Sequence, residues 1–237
     1  MVVDSNLTGA ARTDVATTPD DTGVLSAQQR WVAPLLGLIF VALLVISFVL
    51  TSDSPSSSAG GLTVISYYLD HRAQQNTSAV LIIVSIPVGL FFFGLLREYL
   101  RQSRAARPFA TIAFVGAAVF AAGGCVSSGL QFALADVPAQ LSPSAAQAMN
   151  VMSNDLSFPL IVAGVSVMQL GFGIAVLRSH LLPTWLGWLA VAIGVVAAAG
   201  PIGFFGFLAG AVWILLASAL MYERLAATPR PRPHPER

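Results

Sequence analysis

Val32-Ala-Pro-Leu-Leu-Gly-Leu-Ile-Phe-Val-Ala-Leu-Leu-Val-Ile-Ser-Phe-Val-Leu50 contains no Asp, Glu, Lys or Arg. A hydrocarbon core about 30 Å thick takes roughly 20 helical residues to cross, and this run approaches that length. Five more charge-free runs follow: 79–96, 109–134, 158–177, 185–199 and 204–221. Hydrophobic residues make up 56% of the chain and charged residues 10%, whereas a soluble globule carries about 25% charge. The pattern predicts an all-α fold, a polytopic transmembrane bundle of six helices.

The flanks of the runs predict an orientation. All twelve basic residues are Arg. If six runs cross, both termini and the second and fourth connections share one side. That side holds every Arg except Arg72, including the group Arg97, Arg101, Arg104 and Arg107. Basic residues near span ends mark the cytoplasmic face, so the expectation is a multi-pass plasma-membrane protein with both termini cytoplasmic. Trp31, Trp185 and Trp188 fall at the same boundary as interfacial anchors. About thirty mostly polar residues precede the first run, so it reads as an uncleaved span rather than a signal peptide.

Three regions follow from composition. Residues 1–28 have no apolar period and read as a disordered cytoplasmic stretch. Residues 29–224 form the six-span domain, and 225–237 a Pro/Arg tail of extended, polyproline type. Beyond Leu96 the second helix is expected to continue, with Arg97, Arg101 and Arg104 on one face and Glu98 paired to Arg101. Pro87 is expected to kink it. Gly206 with Gly210, and Gly187 with Gly194, are spaced for close helix approach. Gly200-Pro201-Ile202-Gly203 supplies the last turn.

On the opposite, outer side two short surface helices are expected. Thr63 is placed as the N-cap of one, which carries Val64, Ile65, Tyr68, Leu69 and Arg72 along one side and then enters the second span. Ser142 followed by Pro143 opens the other, which runs to Met152. Asn154 and Asp155 then precede the fourth span, where an acid complements the helix dipole.

The residues of chemical range collect there: Tyr67, Asp70, His71, Arg72 and Asp155. In one reading they bind a small ligand or lipid headgroup. In the plainer reading Arg72 pairs with Asp155 or Asp136 and clips the loops together. A third gathers Asp70, His71 and Asp155 for metal or acid–base chemistry, although one His and two carboxylates match no ligand spacing. Below this mouth Gln131, Ser166 and Gln169 either line a polar cavity with Gln169 at its floor or join helices by hydrogen bonds, since an amide within a span needs a protein partner.

Cys125 is alone, so no disulfide or cysteine metal cluster is expected. No phosphate loop, zinc-binding His pair or nucleophile elbow occurs. A formal net charge of +1 points to no nucleic-acid partner. No cofactor or metal is expected. The partners expected are membrane lipids, a second copy of the chain or another membrane protein.

Tyr67-Tyr68-Leu69-Asp70-His71-Arg72 and Leu182-Pro183-Thr184-Trp185-Leu186-Gly187-Trp188 resemble segments of a broad group of uncharacterised six-span bacterial integral membrane proteins. The resemblance covers roughly residues 30–223. It implies the fold and the location, and an acidic position before the fourth helix matched by Asp155, but no activity. The function expected is therefore a non-catalytic membrane component that binds a small ligand, lipid or partner. A transporter of an uncharged or lipid-like solute is the alternative, and a membrane enzyme with an outer acid/base pair a third.

Overall fold

The computed structural model describes residues 27–199 and 203–226. The N-terminal stretch, the Pro/Arg tail and the turn at 200–202 lie outside the described residues. Among the described residues there is no strand. The elements are α1 (Ala27–Leu50), α2 (Gly61–Asp70), α3 (Arg72–Leu100) and α4 (Arg107–Asp136). A 3-10 turn (Pro138–Gln140), α5 (Pro143–Val151), one π turn (Met152–Leu156), α6 (Ser157–Ser179), α7 (Thr184–Ala198) and α8 (Gly203–Ala226) follow.

Five stretches are long and apolar enough to cross a membrane: Val32–Leu50, Arg72–Leu100, Arg107–Asp136, Pro143–Ser179 and Gly203–Arg224. The fifth apolar run is different. It forms α7 of 15 residues, which at 1.5 Å per residue extends only about 22 Å. It begins at Thr184, directly after Pro183, and stops at Ala198.

The five long helices and α7 close into a ring. α1 packs on α3, α3 on α4, α4 on α6, α6 on α7, α7 on α8, and α8 returns to α1. Around an apolar core it also turns large apolar side chains outward and keeps several polar ones inside. Phe91 and Phe205 are 69% and 65% exposed, while Gln75, Ser78, Ser85, Ser128 and Gln169 are fully buried. So much outward apolar surface suits lipid rather than water.

Glycine sets the closest contacts. A Cβ at Gly164 would enter the backbone of Phe120, and one at Gly116 the backbone of Met168. Together with Gly171 against Ala113, these let α4 and α6 touch backbone to backbone. Gly206 meets Ala197, Gly187 meets Leu177 and Gly194 meets Leu170. The spaced glycines are thus used within the chain. They carry no argument for a second copy.

Several boundaries differ from expectation. α2 starts at Gly61 after Gly60, and Thr63 lies inside it rather than capping it. Gly61 is needed there because any Cβ would run into the Pro143 backbone of α5. On α2 the buried face is Gly61, Val64 and Tyr68, and Leu69 is exposed. α3 runs through Pro87 but ends at Leu100, so Arg104 is off the helix. Glu98 does accept from Arg101 at 3.0 Å, and from Arg97 at 2.8 Å.

Ser142 caps α5 as expected, accepting from the Ala145 N–H at 3.2 Å. Yet α5 continues through the π turn into α6. Asp155 therefore sits inside a helical stretch and faces no free helix N-terminus. The dipole account of it fails for that reason.

Candidate functional site

One end of the ring is built on α2. Val64 and Tyr68 of α2 pack with Leu134 and Ala135 of α4 and Ala146 of α5 in a small second core. His71 is the corner between α2 and α3, its backbone N–H bonded to the Tyr67 carbonyl at 2.9 Å. The His71 ring stacks on the Tyr67 ring at 4.4 Å, and its Nδ1 lies 3.0 Å from the same carbonyl. That imidazole serves the corner.

Behind the corner is an amide relay. Gln75 Nε2 donates to Tyr67 Oη at 2.9 Å and to Ser54 Oγ at 3.3 Å. Gln131 Nε2 donates to Gln75 Oε1 at 2.6 Å. The relay joins the α1–α2 connection, α2, α3 and α4. Both Gln75 and Gln131 are buried, and buried amides are retained where such partners satisfy them. On α1 and α3, the Ser47 and Ser78 hydroxyls lie 2.7 Å apart, and Gln74 Nε2 donates to the Leu50 carbonyl that ends α1.

Against this relay lies a cavity of about 330 Å³, within the range of small-molecule sites. Its polar wall is Thr51, Ser54, Tyr68, Ser127, Gln131 and Asn150, with Ser153 and Asn154 beside them. Its apolar wall includes Phe48, Phe120, Phe158, Phe204 and Phe207. Among the described residues no carboxylate, imidazole or guanidinium lines it. Burial pushes the Tyr68 phenol up to about 12, with Tyr67 adding to the effect. The phenol therefore stays a neutral donor at physiological pH. Asn150 is held by its Nδ2 donating to the Ser56 carbonyl at 2.8 Å, and Asn154 by donating to the Asn150 carbonyl at 3.0 Å.

The expected site residues divide. Tyr67 and His71 stack together, and Tyr67 reaches Gln131 through Gln75. Arg72 Nη2 donates to the Asp136 carbonyl at 2.6 Å and its carboxylate at 3.2 Å, on the surface. The Arg72 partner is thus Asp136 and not Asp155. Asp70 and Asp155 are exposed and form no ion pair with the described residues. Among the described residues no three His, Cys, Asp or Glu side chains are grouped to hold a metal.

The expected inner trio also separates. Gln131 lines the cavity, but Ser166 and Gln169 do not. Ser166 faces a groove on the flank and donates to the Gly194 carbonyl at 2.8 Å, tying α6 to α7. Gln169 is fully buried with neither amide atom hydrogen-bonded, close against Gly210 of α8. Between it and the cavity lies an apolar void of about 20 Å³ lined by Leu44, Phe120, Phe207 and Gly210.

Sequence reasoning missed Gln75, Asn150 and the polar role of Tyr68. A signal was present for Gln75. With α3 starting at Arg72, Gln75, Ser78, Ile82 and Ser85 fall at i, i+3, i+7 and i+10, a helical stripe whose polar members are all buried. No protein-family model, no curated protein and no solved structure matches the chain.

Proposed function

We propose that this is an integral plasma-membrane protein of six membrane-embedded helices whose outer cavity binds an uncharged small molecule or lipid. The observation that supports it is the lining. Amides, hydroxyls and a neutral phenol occupy one wall, aromatic rings the other, and no described residue with a charged side chain lines it. Such a site recognises a neutral polar group attached to an apolar body. The ring of Arg97, Arg101, Arg104, Arg107 and Arg178 lies at the opposite end of the helices, which by the positive-inside rule faces the cytoplasm. The cavity would then open outward, with both termini inside and α2 and α5 lying at the outer surface.

Transport through the bundle fits less well. Between cavity and cytoplasmic end the ring is filled by Phe93, Phe172 and Trp213, stacked at 5.8 and 6.1 Å. An outer-face enzyme would need an acid or base at the cavity, whereas the His71 ring is held on Tyr67 and Asp70 and Asp155 are exposed.

Native mass spectrometry of the protein released from lipid nanodiscs tests the reading. The wild type should carry a small uncharged adduct, and Ser127→Phe, which fills the cavity, should lack it. A wild type without adduct, or equal adducts on both, would contradict the proposal.

A further inference from the structure

Phe158 and Val162 have two sides. They line the outer cavity and also a groove of about 490 Å³ on the flank of the bundle, bounded further by Pro159, Ala163, Val167 and Ala198. The groove is apolar, the one hydroxyl among its described residues, on Ser166, being committed to the Gly194 carbonyl. Ala163 and Val167 are exposed on the lipid-facing side of α6. α6 makes only slight contact with α8, in contrast to its close packing on α4 and α7. Among the described residues, Phe158 and Val162 thus stand between the cavity and the surface that hydrocarbon would cover.

The cavity itself has polar atoms left over. The Tyr68 hydroxyl and the Gln131 carbonyl oxygen take part in no hydrogen bond with the described residues, and both residues line the cavity. Ser127 adds a hydroxyl of its own. A donor, an acceptor and a group that can be either complement an alcohol better than a carbonyl, which only accepts. An anionic head would be buried there without a countercharge, at high cost.

We infer that the ligand is an uncharged, hydroxyl-bearing amphiphile of the membrane, of the monoacyl- or diacylglycerol kind, which enters sideways past Phe158 and Val162. Its head sits on Tyr68, Ser127 and Gln131, and its chain leaves through the flank groove. This rests on the reading of the cavity as a binding site.

The test uses a diazirine-bearing monoacylglycerol supplied in nanodisc lipid, with cross-links mapped on the intact protein. Ala163→Trp fills the groove from its lipid side, and Val167→Trp does so if the first variant fails to fold. Cross-links should fall on the cavity faces of α4 and α6. Unlabelled diacylglycerol should displace them and phosphatidic acid should not. Most labelling should be lost in the groove variant and in Ser127→Phe. Labelling that survives Ala163→Trp and Val167→Trp overturns the sideways route, and displacement by phosphatidic acid overturns the uncharged head. If the protein keeps a Ser127→Phe-sensitive adduct yet shows no cavity cross-links, the lipid assignment fails while the binding cavity stands. If neither adduct nor cross-link is found, both fail.

Discussion

The Tyr68 phenol is 4% exposed and its pKa is pushed up from 10.0 to about 12 by burial. A raised value in the folded state means that neutral Tyr68 contributes its stability in full below pH 10, and that this contribution is lost as pH rises through about 12. Alkaline titration of phenolate absorbance should therefore show a late component that Tyr68→Phe removes; a curve unchanged by the substitution would refute it. The neighbouring relay predicts a different cost. Gln131→Leu leaves the buried Gln75 carbonyl oxygen unpaired, which is worth about 1–3 kcal/mol, and thermal unfolding in detergent should report it. Arg72→Ala breaks a pair with half-exposed side chains on both partners, so it should lower stability by no more than about 1 kcal/mol. Loss of several times that amount would show that the Arg72–Asp136 clip holds α2 in place. Arg72 and its choice of two acids were legible in the chain, because charges near span ends are few. Gln75 was not read, since its partners lie 8, 21 and 56 positions away in sequence.

At the level of elements, the α4–α6 contact decides the packing. Gly164 and Gly116 let backbone meet backbone, and Gly171 lies against Ala113. Gly164→Ile should push the two helices apart at a cost of about 1–3 kcal/mol or more. Gly129 is the control: nothing lies within 4 Å of its Cβ position. Gly129→Ala should be neutral or stabilise α4 by up to about 1 kcal/mol. Equal effects at the two sites would contradict the packing account, and thermal unfolding of both variants in one detergent decides it. The apolar runs were readable because lipid demands length and absence of charge. Their ends were less so. α3 takes in Arg72 to Ser78, because polar residues at its start point into the ring and bond there. The π turn joining α5 to α6 left no mark, as Ser153, Asn154 and Asp155 read equally well as a loop.

Over the whole molecule, an aromatic-filled end and an amide-lined end stand at opposite ends of one ring. The sequence separated the ends by charge, with every Arg but Arg72 expected at one and Asp70, His71, Arg72, Asp136 and Asp155 at the other. It could not show that the acids stay on the rim while neutral amides form the cavity, because that depends on how α2 folds down onto α4 and α5. The account stands on the direction in which this cavity faces. Cysteines placed at exposed Gln102, beyond α3, and exposed Ser144, in α5, report it in a Cys125→Ala background. In sealed right-side-out membrane vesicles, a membrane-impermeant thiol reagent should label Ser144→Cys at once and Gln102→Cys only after the vesicles are opened. Labelling of Gln102→Cys but not Ser144→Cys in sealed vesicles would turn the cavity to the cytoplasm and contradict the account.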